Sequence, residues 1–525
     1  MKQWLLIVWL SAFALVGCAS EPSASEQGGE NEDARKGNAL IIDLMSYPVS
    51  LDPHGANNGE SLYVMSTMYD TLVYLDESLE IQPLLAESLE MVGDTIWEAK
   101  LRQGVTFHDD SPFNAEAVKA NLERVIDPDI GSPVAFLFDM ITEVVVIDEY
   151  TVHIHTEYPF APLPSHLAHP GGHMISKEAI EADYEAMANG EEPFSYINEH
   201  PVGTGFYRYE GAQNGEYVKV VKNENYWDRE QAKSDALTFK VVPEDLTRVA
   251  ELETGEADII YPVNPNDVNR IEQHHGTKVL KSPSSNLTYL GFNTTKEPFN
   301  DPLVRQAIAK AIDQEGIING ILNGMALPAK GPLAPTVFGY DDQFSAAKKD
   351  VEEAKALLDE AGYPNGFETT IVSNDTRAFM DIAVFVQQEL QAIGIDVQVE
   401  TVETSTFLEL AGNGDTEMFV SSWGTVTLDA DYGLYPMFHS ENAGFPGNRT
   451  FFANEELDDL LERARKETDE ATRLELYKDA QQIIVDEVPL VFLYHSELLA
   501  GLGEQVEGFW QYPSSIFYMR DAVKR

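Results

Sequence analysis

Short runs of β-branched and aliphatic residues recur along the chain, and between them apolar positions fall at helical spacing. The runs predict strands at 40–44, 95–101, 144–147, 151–155, 217–222, 237–242, 288–292, 369–372, 396–400, 418–423 and 490–494. Helical faces are predicted where Val304, Ala307, Ile308 and Ala311 repeat at three and four. The same spacing recurs at Ile382, Val386 and Leu390, and at Leu457, Leu460, Leu461 and Ala464. Strands interleaved with helices over this length argue for an α/β fold with more than one open sheet and helices packed on its faces. No internal repeat of roughly 20 to 50 residues is present, which argues against a solenoid or propeller.

The first apolar run obeys a different rule. Lys2 precedes an apolar stretch from Trp4 to Val16, about 13 residues, too short to span a bilayer and suited to the core of a secretory leader. It ends in Leu15-Val16-Gly17-Cys18, which resembles the lipobox of bacterial lipoproteins, so Cys18 is the expected lipidation site. Cys18 is the only cysteine, which excludes an intramolecular disulfide. Residues 19–37 carry no aliphatic side chain beyond Ala and read as a flexible tether. No later stretch is apolar for long enough to cross a membrane, so the body is expected outside the cell, held to the outer face of the membrane by lipid.

Composition then narrows the partners. The chain has 88 acidic and 35 basic side chains, a formal charge of −53. So few cations cannot form the concentrated basic surface that nucleic acid or an anionic lipid surface requires. With 43% hydrophobic and 10% aromatic residues, a sizeable core is affordable and disorder is disfavoured. So acidic a surface keeps a protein soluble in concentrated salt, where self-repulsion is screened; it reads as an adaptation to salt or alkali and predicts a monomer.

Signatures of catalysis are absent: there is no G-x-S-x-G, no P-loop, no H-E-x-x-H and no paired C-x-x-C. His166, His169 and His173 form the tightest histidine group, but Pro170, Gly171 and Gly172 interrupt the helix that would make them converge, so no metal is expected there. No cofactor is expected either, and the protein is not expected to be an enzyme.

Several separated segments carry a resemblance. Leu51-Asp52-Pro53-His54, Tyr69 to Tyr74, Pro83 to Ser88, Leu101-Arg102-Gln103-Gly104-Val105-Thr106-Phe107-His108-Asp109, Pro201-Val202-Gly203-Thr204-Gly205 and Asn223-Glu224-Asn225-Tyr226-Trp227 resemble, in order, the bacterial extracellular solute-binding proteins of the peptide/nickel group. Arg305 to Ile308, Ala354 to Leu358, Ala361-Gly362-Tyr363 and Gly394 to Val397 continue the match. The resemblance implies a two-lobe periplasmic-binding-protein-like fold with an extra subdomain in the first lobe and a hinge between lobes. It also implies the receptor of an ABC importer, with the permease's transmembrane subunits as partner. On that frame residues 1–17 are leader and 18–37 tether. Residues 38–80, 202–293 and 495–525 form the first lobe, 81–201 the inserted subdomain and 294–494 the second lobe. Crossings are expected at 293–302 and 494–503, where Gly, Pro and Asn suit a hinge or an ordinary surface loop.

Ligands of open α/β sheets bind beyond the carboxyl ends of strands. That rule selects the stretch after the strand ending at Trp423, with Thr425, Thr427, Asp429, Asp431 and Tyr432. A carboxylate there suits a ligand ammonium and Trp423 its apolar part, while capping a turn is the alternative role for each Asp. In di- and oligopeptide receptors of the family, an Asp three residues after the matching Trp holds the peptide's amino group; here that position is Val426. The stretch, with Leu434 to Ser440 and Gly447-Asn448-Arg449-Thr450-Phe451-Phe452, resembles instead the glutathione-binding receptors. Glutathione carries two carboxylates, so Asn448 and Arg449 are candidates, Arg449 pairing either with ligand or with a neighbouring Glu. Ser46-Tyr47 after the first strand and Tyr494 at the end of 490–494 complete the set, each Tyr serving either ligand or core. The expected ligand is a short peptide or glutathione-like compound. A nickel–metallophore complex and an acid-pair hydrolase using Asp429 and Asp431 are the alternatives.

Overall fold

The computed structural model describes residues 38–444 and 447–525. The leader, the tether and Cys18 lie outside the described residues. The framework is an 11-stranded mixed sheet. From one edge its strands are Asp396–Val402, Glu368–Asn374, Met418–Gly424, Thr277–Phe292, Leu490–Gly503, Ile259–Tyr261, Ala39–Leu44, Ala236–Val241, Tyr217–Lys222 and Tyr207–Gln213, with Ala326–Pro328 also paired to Leu490–Gly503. Among the described residues no helix is long and apolar enough to cross a membrane.

Two strands far longer than the sequence pattern predicts join the halves. Thr277–Phe292 has 16 residues and Leu490–Gly503 has 14. Their antiparallel ladder runs from Thr277 opposite Gly503 to Pro283 opposite Glu497, breaks, and resumes at Leu287 opposite His495. Apolar runs mark only 288–292 and 490–494. Lys281 to Asn286 is polar and holds Pro283, so alternation fails there, while the partner strand still pairs with the residues on either side of 284–286. At the break Ser284 Oγ donates to the Ser496 carbonyl at 2.6 Å, and Ser285 N donates to the Pro513 carbonyl at 2.8 Å. Ahead of 293–302, Asn286 to Phe292 pair with Gly424 to Met418, and Asn293 N continues to the Glu417 carbonyl at 2.9 Å.

Pleating divides the second lobe into two cores, one on each face of its half of the sheet. Met418, Val420 and Ile371 pack on one face, where Val304, Ile308, Ile382 and Val386 meet them. Phe419, Val372 and half-buried Trp423 pack on the other, under Leu434, Phe438, Leu457 and Leu461. The first lobe has its own core around Leu40, Ile42, Val64, Leu237 and Ile259. The inserted subdomain is a four-stranded antiparallel sheet, Ala86–Gly93, Ile96–Leu101, Thr151–Thr156 and Ile141–Asp148, covered by the helix Ala115–Val125. Its core takes in buried Tyr432 from the second lobe, with half-buried Trp423 and Val426 packed against it.

Candidate functional site

The loop selected by the strand-end rule leaves the sheet at the break in the long ladder: Thr425 N donates to the Ser285 carbonyl at 3.3 Å. Leu428 sits at φ 56°, a left-handed conformation held from outside the loop, since Phe338 N donates to the Leu428 carbonyl and Ala430 N to the Phe338 carbonyl, both at 2.9 Å. The helix Ala430–Phe438 follows, capped by Asp429, which accepts from Asp431 N at 2.9 Å. Thr425 and Thr427 are buried, and Thr427 Oγ1 accepts from Asp429 N at 3.4 Å.

Neither carboxylate of the loop is without a cation. Arg473 donates to both oxygens of Asp429, at 2.7 and 2.9 Å. Burial works against the charge on Arg473, and Asp429, with Tyr477 and Asp431, more than offsets it. Asp431 is 2% exposed; Arg465 Nε lies 3.1 Å from its Oδ1 and His166 Nε2 lies 3.5 Å from its Oδ2. Burial alone would raise the Asp431 carboxyl, but Arg465 and His166 hold it below its ordinary range. A ligand ammonium approaching either Asp must therefore compete with a guanidinium already in place.

Trp423 turns its indole back on the loop. Its Nε1 donates to the Tyr432 carbonyl at 3.0 Å and its ring stacks on Tyr432 with centroids 5.4 Å apart. Tyr432 in turn meets Phe136 of the inserted subdomain at 5.9 Å, so these three rings bridge the lobes. Burial pushes the Tyr432 hydroxyl up to about 12.

Arg449 is 8% exposed and donates to Ser421 Oγ at 3.3 Å, two residues before Trp423. Its Nε has no partner, and among the described residues no acid pairs with it. Asn448 is occupied by its own turn, bonding the His439 and Phe452 carbonyls and accepting from Thr450 Oγ1 and Phe452 N. The two sites expected from strand ends elsewhere lie apart from the loop. Tyr494 is buried in a second-lobe core beside Val491 and Leu493, whereas exposed Ser46 and half-buried Tyr47 sit on the first lobe, Tyr47 against its core. A register shift explains Tyr494: Thr288 pairs with Tyr494 and Tyr289 with Phe492, so Leu493 is an extra residue and Tyr494 joins it in the same core instead of alternating with it.

Two cavities flank the loop. One, ≈ 290 Å³, lies between the first lobe, the inserted subdomain and Val426-Thr427, with Asp70, Arg102, His169, Trp227 and Arg520 in its wall. The other, ≈ 700 Å³, is bordered by Glu80, Ser165, Thr427, Asp429, Glu467 and Arg473. Thr427 borders both. His169 and His173 line the first cavity, where burial and a neighbouring imidazole push each down to about 3. Among the described residues no three His, Cys, Asp or Glu side chains converge as a metal set would. The roles of His166, Arg465, Arg473 and Arg102 escaped sequence reading. Arg102 and Trp227 stand in the motifs quoted above, but nothing in sequence says that they face one space.

Comparison with known proteins agrees with this architecture. The model of "Bacterial extracellular solute-binding proteins, family 5 Middle" matches residues 80–445. The chain is 36% identical over 492 residues to the glutathione-binding protein GsiB of Pectobacterium atrosepticum, covering 92% of this chain and 93% of that one. Among solved structures it is similar to the Helicobacter pylori periplasmic binding protein DppA in complex with the peptide STSA. There the TM-score is 0.79 at 30% identity, over 93% of this chain and 100% of that one. It is also similar to a dipeptide-binding protein from a Pseudoalteromonas species in complex with Met-Leu, with TM-score 0.81, 27% identity and the same coverage. With two lobes joined through paired long strands, an inserted subdomain, and this match over most of its length, the chain belongs to the bacterial extracellular solute-binding proteins of family 5.

Proposed function

We propose that this protein captures a short peptide or glutathione-like compound between its lobes and delivers it to the permease of an ABC importer. The observation that carries the reading is Arg449, a buried guanidinium without an acidic partner beside the interlobe loop. Burying a cation is costly unless an anion meets it, and a ligand carboxylate is such an anion. Val426 where peptide receptors carry Asp, and relatives that bind glutathione and dipeptides, support a ligand held by its carboxylates at least as much as by its ammonium.

In this reading Trp423 covers the ligand's apolar part, Thr425, Thr427 and Tyr432 frame it, and Asn448 holds the turn that carries Arg449. Residues 38–80, 202–293 and 495–525 form one lobe, 81–201 its insert and 294–494 the other. The protein works as a monomer without catalysis, anchored outside the cell through Cys18. Calorimetric titration with reduced and oxidised glutathione, di- to pentapeptides and nickel–histidine tests it. Micromolar or tighter binding of glutathione or a peptide is expected. Binding of nickel–histidine alone, or Arg449→Gln binding glutathione as tightly as the unaltered protein, would overturn it.

A further inference from the structure

The ≈ 290 Å³ cavity holds a cation that the loop chemistry does not use. Arg102 follows the strand Ile96–Leu101 of the inserted subdomain and is half-buried. Its guanidinium lies 4.8 Å from the centroid of the Trp227 ring, and its Nε donates to the Leu84 carbonyl at 3.0 Å. These two contacts fix the plane of the fork. A guanidinium has five N–H donors, and among the described residues those on its two terminal nitrogens have no carboxylate within ion-pair distance.

The platform beneath it is rigid. Trp227 Nε1 donates to Asp70 Oδ2 at 2.9 Å, and Asp70 also accepts from Thr204 Oγ1 at 3.0 Å and Tyr226 OH at 3.3 Å. Asp70 is thereby committed to neutral donors, not to Arg102. The contrast with Arg520 on the same wall is instructive. That guanidinium lies 3.0 Å from Glu230, 3.7 Å from Asp521 and 3.8 Å from Asp228, so its charge is answered within the protein. In a chain with 88 acids and 35 bases, a cation left without an acid in a cavity wall is set apart from its neighbours.

From this geometry we infer that Arg102, stacked on Trp227, anchors a carboxylate of the ligand by a two-point hydrogen bond. This deepens the proposed capture of a peptide-like compound and rests on it. The cavity faces Val426-Thr427 of the second lobe, so a carboxylate held on Arg102 belongs to a ligand that also touches the interlobe loop. Arg suits this task because its planar fork matches the two carboxylate oxygens, and stacking on an indole leaves the fork's edge free to donate.

The test is calorimetry of the unaltered protein, Arg102→Gln and Arg102→Lys with glutathione and with each of its two monoethyl esters. Arg102→Gln is expected to weaken glutathione binding roughly ten- to hundred-fold, and to cause no further loss for the one monoester that blocks the anchored carboxylate. Arg102→Lys retains charge and stem over Trp227, and is expected to fold as the unaltered protein does and to bind at intermediate strength. Equal losses for glutathione and both esters, in either variant, would mark Arg102 as a packing residue and overturn the inference. So would unchanged glutathione affinity in Arg102→Gln. If the unaltered protein bound neither glutathione nor any peptide, the proposed function would fall and this inference with it; the other two outcomes leave that function standing.

Discussion

His166 of the inserted subdomain faces Asp431 of the second lobe with Nε2 and Oδ2 3.5 Å apart, both side chains buried. Arg465 completes the contact. It pairs with Asp431, lies 3.9 Å from the Tyr435 ring centroid and 5.1 Å from that of Phe160, and its carbonyl accepts from Ala161 N at 3.0 Å. One charged cluster thus closes the inserted subdomain against the second lobe beside the loop.

Asp431→Asn should loosen that closure and lower stability by about 3–5 kcal/mol, because it leaves Arg465 buried without its anion. The sign with pH follows from the lowered Asp431 carboxyl. Its contribution is present above the ordinary carboxylate range and is lost as pH falls through the depressed folded value. Urea unfolding from neutral pH to pH 3 checks this: the variant should show a shallower loss on acidification.

Asp429 is expected to matter more for folding than for ligand. Asp429→Asn keeps an acceptor for the helix cap but strips Arg473 of its charged two-point partner, so melting temperature should fall clearly. Glutathione affinity, measured where the variant remains folded, should change by less than about 1 kcal/mol. A loss of about 2–5 kcal/mol would instead mean that this carboxylate meets a ligand ammonium.

Trp423 reports on the cleft. Half-buried against the cores of both the inserted subdomain and the second lobe, it should change fluorescence as ligand enters. Trp423→Ala should abolish most of that change and weaken binding by about 1–3 kcal/mol. Retention of the full signal would assign it to Trp97, Trp227 or Trp510 instead.

A second pH effect comes from the first lobe. Burial, and then the charge of Glu251, push fully buried Asp43 up to about 8, and neither of its oxygens has a hydrogen-bond partner. A raised carboxyl favours the folded state fully only below the unfolded value near 4, and that advantage is lost as pH climbs to about 8. Asp43→Asn should therefore stabilise the protein at pH 9 by about 1–3 kcal/mol and little at pH 4, as denaturation at the two values will show.

Anchoring is separable from all of this. Cys18→Ala should release the protein into the medium with its affinity unchanged, whereas membrane retention after a high-salt wash would exclude lipid as the anchor.

The strands, the helical faces, the family motifs and the place of the loop from Trp423 to Tyr432 after a strand end were readable from the chain. Each depends on periodicity or on spacing within a few residues, and such information is local. The pairing of charges was not readable. Asp429 finds Arg473 44 residues on, and Asp431 finds His166 from another subdomain. Both acids look alike as free groups in a loop, and only position in space, through the steep distance dependence of ion pairing in a buried site, decides that they are already engaged while Arg449 and Arg102 are not. The length of Thr277–Phe292 was hidden for a related reason. Lys281 to Asn286 carry no apolar alternation, and what makes them part of one long strand is the pairing with Leu490–Gly503 on either side of the break, more than two hundred residues away.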